Sequence, residues 1–455
     1  MRRIAKLHAR FAAITIIAVL VLSVPAFAKS PAKDRVLIKV NSAGRIGELA
    51  NKFHFNVKKS VITGNSGLFV VEDIPLGQLK QLLKDEADID FVVEDAALPL
   101  DGGETVLPLD GGETVLPLDG GETVLPLGDT TDKLITSLLD GGETVLPLNE
   151  LTVIRAAYQT LATSVTPSQK LLLQPGFRKI GLYPVVGKAT GRGVVIADLD
   201  TGADSCHEAL RGIVLFTFVE GPDRNAPENC PTAATVPLPG YGHGTRVASL
   251  LRVVAPEATI WAMRVFDNTG SAQISDIYEA VVYAADHGVD VINMSFGTTE
   301  PSAALEDAIN YARSRGVTLV AAGGNKNVEP LMYPAQISGV KGVVGVTSKD
   351  IKASFSNYGK GAALSAPAYM WAAHPNHQIA YVAGTSYASP LVAAEAALII
   401  DGYQRTHRGS PSTWVVDGAM LIGAQYIDLL NPQYFLKLGR GRIYLPLALA
   451  TVGIN

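Results

Sequence analysis

The sequence predicts an α/β protein in which a largely parallel sheet is covered on both faces by helices, preceded by a smaller α+β unit. Three observations carry that prediction. The runs Gly193 to Leu199, Ile213 to Val219, Thr259 to Val265, Asp290 to Phe296, Val317 to Ala322 and Val343 to Thr347 are apolar at successive rather than alternate positions, as strands covered on both faces require. Between them Ile274, Ile277, Val281 and Ala284 make one stripe at helical spacing, and Leu305, Ala308, Ile309 and Ala312 make another. Gly288 and Gly316 follow those stripes where a helix commonly ends in a left-handed residue.

From the N-terminus, Arg2, Arg3, Lys6 and Arg10 precede an apolar run from Phe11 to Leu22 and then Ala26-Phe27-Ala28. That is the pattern of a secretory signal over residues 1–28. The run is short for a membrane span, Pro25 ends it, and nothing later is long and uncharged enough to cross a bilayer. The expectation is a secreted protein, extracellular or periplasmic, with no stable membrane span once the signal is removed.

Residues 29–97 form the small α+β unit, of ferredoxin-like type. Its strands are expected at Arg35 to Val40, Gly67 to Val71 and Ile89 to Val93, and its helices at Ile46 to Phe53 and Leu76 to Leu83. Residues 98–149 are a repeat. Leu-Pro-Leu-Asp-Gly-Gly-Glu-Thr-Val begins at Leu98, Leu107 and Leu116, a period of nine, and Asp140 to Leu148 restores Asp-Gly-Gly-Glu-Thr-Val-Leu-Pro-Leu after a spacer. Asp-Gly-Gly is a turn, Glu-Thr-Val-Leu favours extension, and each proline excludes a central ladder position, so the array reads as an extended linker rather than a stacked solenoid. Residues 150–455 hold the α/β domain.

With 38 basic against 43 acidic residues and a net charge of -5, the chain has no basic block beyond its N-terminus, which argues against a nucleic-acid partner. Cys206 and Cys230 either pair across a loop or stay as two thiols, since spacing does not give their separation. His374 and His377, around Pro375-Asn376, have no further ligand cluster and read as a solvated loop, so no metal is assigned.

The chemistry-bearing residues lie at strand ends and helix starts. Ser386, in Gly384-Thr385-Ser386-Tyr387-Ala388, opens a long Ala-rich helical run, where unpaired N–H groups can also hold an oxyanion. A serine needs a neutral imidazole oriented by a carboxylate. Asp200 ends the apolar run Val194 to Leu199 at an Asp-Thr-Gly turn, and His243 sits between glycines in Gly242-His243-Gly244 before a helix. Asn325, after Gly323-Gly324, ends another buried strand with an amide that can donate to an oxyanion.

In the order Asp, His, Asn, Ser, these segments resemble the subtilisin-like serine proteases. Ala255-Pro256-Glu257-Ala258, Met263-Arg264-Val265, Asp290 to Gly297, Ala353 to Asn357, Leu364 to Pro367 and Gly439 to Ile443 resemble family segments in the same order. The resemblance covers about residues 176 to 450. It implies a three-layer α/β fold and a serine endopeptidase working through an acyl-enzyme on polypeptide substrates. Asp200 would orient the imidazolium, His243 would shuttle the proton, Ser386 would attack, and Asn325 with the Ser386 N–H would hold the oxyanion. Gly270-Ser271-Ala272 and Ser295-Phe296-Gly297 resemble the two backbone edges that receive substrate as an added strand. By its position, the unit at residues 29–97 would be the intramolecular inhibitory propeptide of a self-processing zymogen, with an independent binding domain as the alternative, and the maturation cut would fall between about Asn149 and Gly191. The repeats would be a spacer or, more sharply, strands that lie in the cleft. A catalytically silent secreted binding protein on the same scaffold is the alternative.

Some positions depart from the family pattern. Asp198 shares a strand face with Asp200 where the family is usually apolar, and is expected to be solvated, hydrogen-bonded or protonated. Arg246 replaces the usual second histidine and Ser249 the usual glycine. Only three residues separate Leu250-Leu251 from Ala255-Pro256, and Ala209 stands where calcium-binding relatives have an acidic ligand. No cofactor and no tight calcium site are therefore expected.

Overall fold

The computed structural model describes residues 35–100, 105–108, 123–124, 171, 173–219, 226–232 and 240–454. The expected signal segment and most of the repeat array lie outside the described residues.

The first unit runs β1 (Arg35–Val40), α1 (Ile46–Phe53), β2 (Asn56–Thr63), β3 (Ser66–Glu72), α2 (Leu76–Leu83) and β4 (Ile89–Glu94), with an antiparallel sheet in the order β2-β3-β1-β4. Alternation along β1 sends Val36, Ile38 and Val40 into a core with Leu49, Leu79 and Leu83 from the two helices. Leu37, Leu68 and Val70 point the other way, into the core of the large domain. The unit therefore buries both faces, one of them against the rest of the chain. β2 carries Lys58, Lys59 and Ser60 on a largely exposed strand, which is why its pattern is not apparent in the sequence.

Three short strands follow, β5 (Ala97–Pro99), β6 (Thr105–Pro108) and β7 (Thr123–Val124). The large domain then comprises α3 (Pro175–Lys179), β8 (Val195–Asp200), β9 (Val214–Thr217), α4 (His243–Val254), β10 (Thr259–Arg264), β11 (Ser271–Gln273), α5 (Ile274–Asp286), β12 (Val291–Met294) and α6 (Ala303–Ser314). It continues through β13 (Thr318–Ala322), β14 (Val340–Val346), β15 (Ala362–Pro367), β16 (Tyr369–His374), β17 (Gln378–Ala383), α7 (Thr385–Thr406), α8 (Thr413–Gly423) and α9 (Leu445–Ala450).

Seven strands make one parallel sheet in the order β15-β14-β13-β12-β8-β10-β9. Ile196 and Val320 face one core with Val247 of α4 and Leu391 of α7, while Leu199 and Leu319 face the other with Ile277 of α5 and Ile309 of α6. This is the three-layer α/β arrangement the apolar runs require. Helix α7 is buried at every residue from Thr385 to Gly402, so its Ala-rich composition is a packing requirement as well as a helical preference.

β16 and β17 form an antiparallel hairpin whose turn holds Asn376 and His377 at φ of 65° and 59°. His374 is consequently not in a solvated loop, contrary to the sequence reading. It is half-buried at the end of β16, its Nδ1 lies 3.3 Å from Arg246 Nη1, and desolvation together with that charge lowers its pKa to about 3. His377 is exposed and meets Glu208 Oε2 at 2.7 Å.

Cys206 and Cys230 are joined as a disulfide with their Cα atoms 5.1 Å apart. For a cross-link 24 residues apart, loop-closure entropy stabilises the folded state by roughly 3 kcal/mol. Urea unfolding of the Cys206→Ser, Cys230→Ser double variant is expected to show a loss of that order, and an unchanged midpoint would contradict it.

Candidate active site

Strand β8 lies in the middle of the sheet between β10 and β12, and its last residue is Asp200. Period-two alternation puts Ile196, Asp198 and Asp200 on the α4 and α7 face. Helix α4 begins at His243, with Gly242 before it at φ 77°, a left-handed conformation that suits glycine. A Cβ on Gly244 would collide with the Gly202 carbonyl oxygen, so the helix start can press against the turn after Asp200 only because that side chain is absent. The result is a buried pair: His243 Nδ1 lies 2.7 Å from Asp200 Oδ1 and 2.8 Å from Oδ2, and Thr201 N donates to Oδ1 at 2.7 Å. With Nδ1–H donated to the carboxylate, Nε2 is left as the acceptor nitrogen.

Ser386 is the second residue of α7 and is buried. Pro390 sits four residues on and has no N–H, so the Ser386 carbonyl loses its helical donor. Ser295 Oγ supplies the replacement at 2.9 Å. The Ser386 hydroxyl in turn donates to Ser295 O at 3.0 Å, so in this structure it is turned toward that carbonyl. Asn325 follows β13, and its Oδ1 accepts from Thr385 N at 2.8 Å and Thr385 Oγ1 at 2.9 Å. Those bonds fix the amide so that Nδ2, its donor, faces the opposite side.

Asp198 is fully buried and touches the same network. Its Oδ1 accepts from Asn293 Nδ2 at 2.8 Å, while Oδ2 has no hydrogen-bond partner. Asn293 also accepts from Ser389 Oγ at 2.7 Å and donates to Ser295 Oγ at 2.9 Å, which links Asp198 to the two ends of the serine turn. Burial, reinforced by the charge of Asp200, raises the Asp198 pKa well above the ordinary aspartate value.

Glu228 is a neighbour that sequence reasoning missed. It is buried, and its carboxyl accepts from Thr201 Oγ1 and, at 2.7 Å, from Thr245 Oγ1, bracketing the Asp200 turn and the start of α4. Burial raises its pKa to about 7 despite those two hydroxyl donors. The only cue in the sequence is its position two residues before Cys230. Arg246, also buried, donates from Nε to Tyr387 OH at 2.9 Å and from Nη1 to Tyr241 O at 3.0 Å, and the Tyr387 ring centroid lies 5.8 Å from that of His243. Ser249 donates to Arg246 O at 2.7 Å and accepts from Ala373 N at 2.9 Å.

Both expected backbone edges lie beside these groups. Gly270-Ser271-Ala272 is already paired: β5 runs antiparallel to β11 with Leu98 opposite Ala272 and Pro99 opposite Ser271, and Leu100 N donates to Gly270 O at 2.7 Å. Ser295-Phe296-Gly297 leaves β12 toward Ser386, with Phe296 buried against Phe266. Among the described residues the one His, Cys, Asp or Glu group close enough to hold a metal is Asp204, Cys206 and Cys230, and the disulfide removes both thiolates from that set. Ala209 is packed with Leu171, Ala373 and Ile379 and offers no oxygen from its side chain.

Residues 191–425 match the Subtilase family. The chain is 36% identical over 239 residues to thermitase of Thermoactinomyces vulgaris, covering 50% of this chain and 81% of that protein. It is 36% identical over 220 residues to Subtilisin Savinase of Lederbergia lenta, covering 46% and 77%. Fervidolysin from Fervidobacterium pennivorans, a keratinolytic enzyme related to subtilisin, shares the fold with a TM-score of 0.64 at 19% identity, over 92% of this chain and 61% of that one.

An aspartate whose folded pKa is raised carries no penalty below its unfolded value and destabilises the fold increasingly as pH rises through the raised value. Asp198→Asn is therefore expected to gain stability over the parent between about pH 4 and neutrality. Parallel urea titrations across that range check it. A difference that stays flat with pH would mean Asp198 titrates normally.

Proposed function

Because this chain belongs to the subtilase family and is a subtilisin-like serine endopeptidase, we propose that Asp200, His243, Ser386 and Asn325 are its catalytic residues and that it is exported as a self-processing zymogen. In this reading Ser386 Oγ attacks the scissile carbonyl while His243 Nε2 takes its proton. Asp200 holds the imidazolium through Nδ1. Asn325 Nδ2 and the Ser386 N–H receive the oxyanion, and the imidazolium then protonates the departing amine. Water repeats the sequence on the acyl-enzyme. Catalysis requires the Ser386 hydroxyl to leave Ser295 O and turn about its Cα–Cβ bond onto the imidazole. The observation that carries the assignment is the buried His243–Asp200 pair at 2.7 Å at the mouth of the sheet, beside the start of α7. Gly270, Ser271 and Ala272 on one side and Ser295, Phe296 and Gly297 on the other are the proposed substrate edges.

The inhibitory role proposed for the first unit is supported by how it meets the large domain. The Asp95 carboxylate accepts from Ser275 N at 2.9 Å and Ser275 Oγ at 2.8 Å, capping the first turn of α5 where a negative charge meets the positive helix end. Lys39 Nζ lies 2.7 Å from Asp307 and 2.8 Å from Tyr278 OH, and Lys59 Nζ lies 2.8 Å from Asp276 and 2.6 Å from Glu279. β5 then continues from this unit along β11, where substrate would lie. Export is proposed on the N-terminal segment, and no helix among the described residues is long and apolar enough to cross a membrane. Activity without a tightly bound calcium ion is proposed from Ala209 and the short connection before Ala255.

A serine-directed fluorophosphonate is expected to label the processed enzyme on Ser386, and His243→Ala to abolish labelling. Asn325→Ala is expected to lower kcat about 10²- to 10³-fold, the magnitude known for the oxyanion amide of a subtilisin, with KM little changed. Full labelling of a Ser386→Ala variant would overturn the assignment.

A further inference from the structure

The described ends of the first repeat copy lie on either side of the candidate active site. Its Leu98-Pro99-Leu100 is bonded to β11 and Gly270 on one side. Its Thr105 begins β6, which runs antiparallel to β17 with Thr105 opposite Ala383 and Pro108 opposite Ala380. β17 leads directly into Gly384 and Ser386. One stretch of chain is therefore held on both sides of the proposed nucleophile, with only Asp101-Gly102-Gly103-Glu104 between its two anchored ends.

The anchoring reads features that the repeat preserves. Bonded backbone positions alternate along an antiparallel edge. Ala96 O and Leu100 N are bonded, so Pro99 falls between them and its missing N–H costs nothing. Leu98 is 5% exposed while Ala97 and Pro99 are exposed, so alternate leucines face the protein. Two later Leu-Pro-Leu segments repeat that spacing nine residues on, at Leu107 and Leu109 and at Leu116 and Leu118, each followed by Asp-Gly-Gly-Glu-Thr-Val, while Leu125-Pro126-Leu127 and Leu146-Pro147-Leu148 lack that continuation. A second observation is independent of β5. β7 pairs parallel with β6, Thr105 opposite Thr123 and Val106 opposite Val124, so the Thr-Val pair of copy three meets the same pair of copy one beside β17.

We propose that the nonapeptide array is a set of interchangeable, self-cleaved cleft occupants: each Leu-Pro-Leu-Asp-Gly-Gly-Glu-Thr-Val copy docks across β11 and β17 in turn and is hydrolysed within its Asp-Gly-Gly-Glu link. The proposal rests on Ser386 being the nucleophile. Each cut consumes one water: the carbonyl carbon passes from the amide nitrogen to Ser386 Oγ, the amine leaves with the proton carried by His243, and water releases the acyl group as a carboxylic acid. After copy one is cut and the first unit leaves, copy two is the new N-terminal segment of the enzyme. As a tethered ligand it acts at an effective concentration on the order of millimolar, so it refills the cleft ahead of free substrate. Release from inhibition is then stepwise, counted by the number of copies. The maturation cuts fall within residues 98–148, ahead of the interval from Asn149 to Gly191 expected from the sequence.

The test follows N-termini during processing of the purified full chain by intact mass and N-terminal sequencing. A series nine residues apart, beginning within the links after Leu100, Leu109 and Leu118, is the expected result. A single N-terminus, or cuts only outside residues 98–148, would overturn the array proposal while leaving the nucleophile assignment intact. Ser386→Ala is expected to stay uncut; cutting of that variant in isolation would instead break the underlying reading. Leu116→Glu with Leu118→Glu is expected to erase the third terminus and leave the first two, and an unaltered third terminus would rule out recognition of the leucines. A synthetic Leu-Pro-Leu-Asp-Gly-Gly-Glu-Thr-Val peptide is expected to inhibit the processed enzyme about tenfold more strongly than its reversed sequence. Equal inhibition would count against the proposal.

Discussion

The contact between the Asp200 carboxylate and His243 Nδ1 is the constraint around which the large domain is arranged. An ion pair or strong hydrogen bond in a buried place repays its desolvation only when the geometry is good and the remaining lone pairs are satisfied. Here Thr201 N supplies a further donor, and the helix carrying His243 comes close enough because Gly244 has no side chain to meet the Gly202 carbonyl oxygen. Strand β8 reaches that point between β10 and β12, so its carboxylate is held from both sides by the sheet. The same face then receives α7, and Pro390 frees a carbonyl at the serine turn that Ser295 from β12 must satisfy. Sheet, α4 and α7 are tied together by polar groups that could not be left unpaired at this depth.

Much of the fold was legible because its local signals and its burial agree. α1 and α2 end where their apolar spacing ends, and Gly288 and Gly316, at φ of 73° and 83°, stop α5 and α6. Strands were read within a few residues wherever both faces are covered. β15 escaped because its Ala-Ala-Leu-Ser-Ala-Pro has few large apolar residues, and β2 because it is half exposed. The β16–β17 hairpin escaped for a different reason. Its His374 looks solvated in sequence, and only the distant Arg246 and the packing of Tyr241 against its ring, at 6.0 Å between centroids, give it a half-buried place.

The candidate site was legible as four local motifs, each a strand end or helix start, and so was the edge at Gly270-Ser271-Ala272. What the motifs do not contain is direction. Whether the Ser386 hydroxyl faces the imidazole or Ser295 O depends on a single side-chain torsion set by neighbours 91 residues away. Glu228 is hidden for the same reason: a glutamate in a loop reads as solvated until the disulfide and two threonines, 17 and 27 residues distant, are seen to enclose it. The prolines of the repeat exclude a central ladder position, and Pro99 is consistent with that: β5 pairs with β11 alone, and Pro99 takes a position between bonded ones.

Three carboxyl groups, Asp198, Asp200 and Glu228, crowd into one buried neighbourhood, and full ionisation of all three would be costly there. The conflict is resolved by unequal partners. Asp200 alone faces the imidazole, and it also accepts from Thr201 N. Asp198 has one amide donor and an unpartnered oxygen, and Glu228 has two hydroxyl donors and a longer bond of 3.4 Å from Thr245 N, so burial and the nearby Asp200 charge raise the pKa of both. Asp198 and Glu228 lend polar atoms to Asn293, Thr201 and Thr245, and the raised pKa of each lessens the negative charge it adds to the pocket. The departure at Asp198 is compatible with the His243–Asp200 pair because burial beside the Asp200 carboxylate favours the acid form of Asp198.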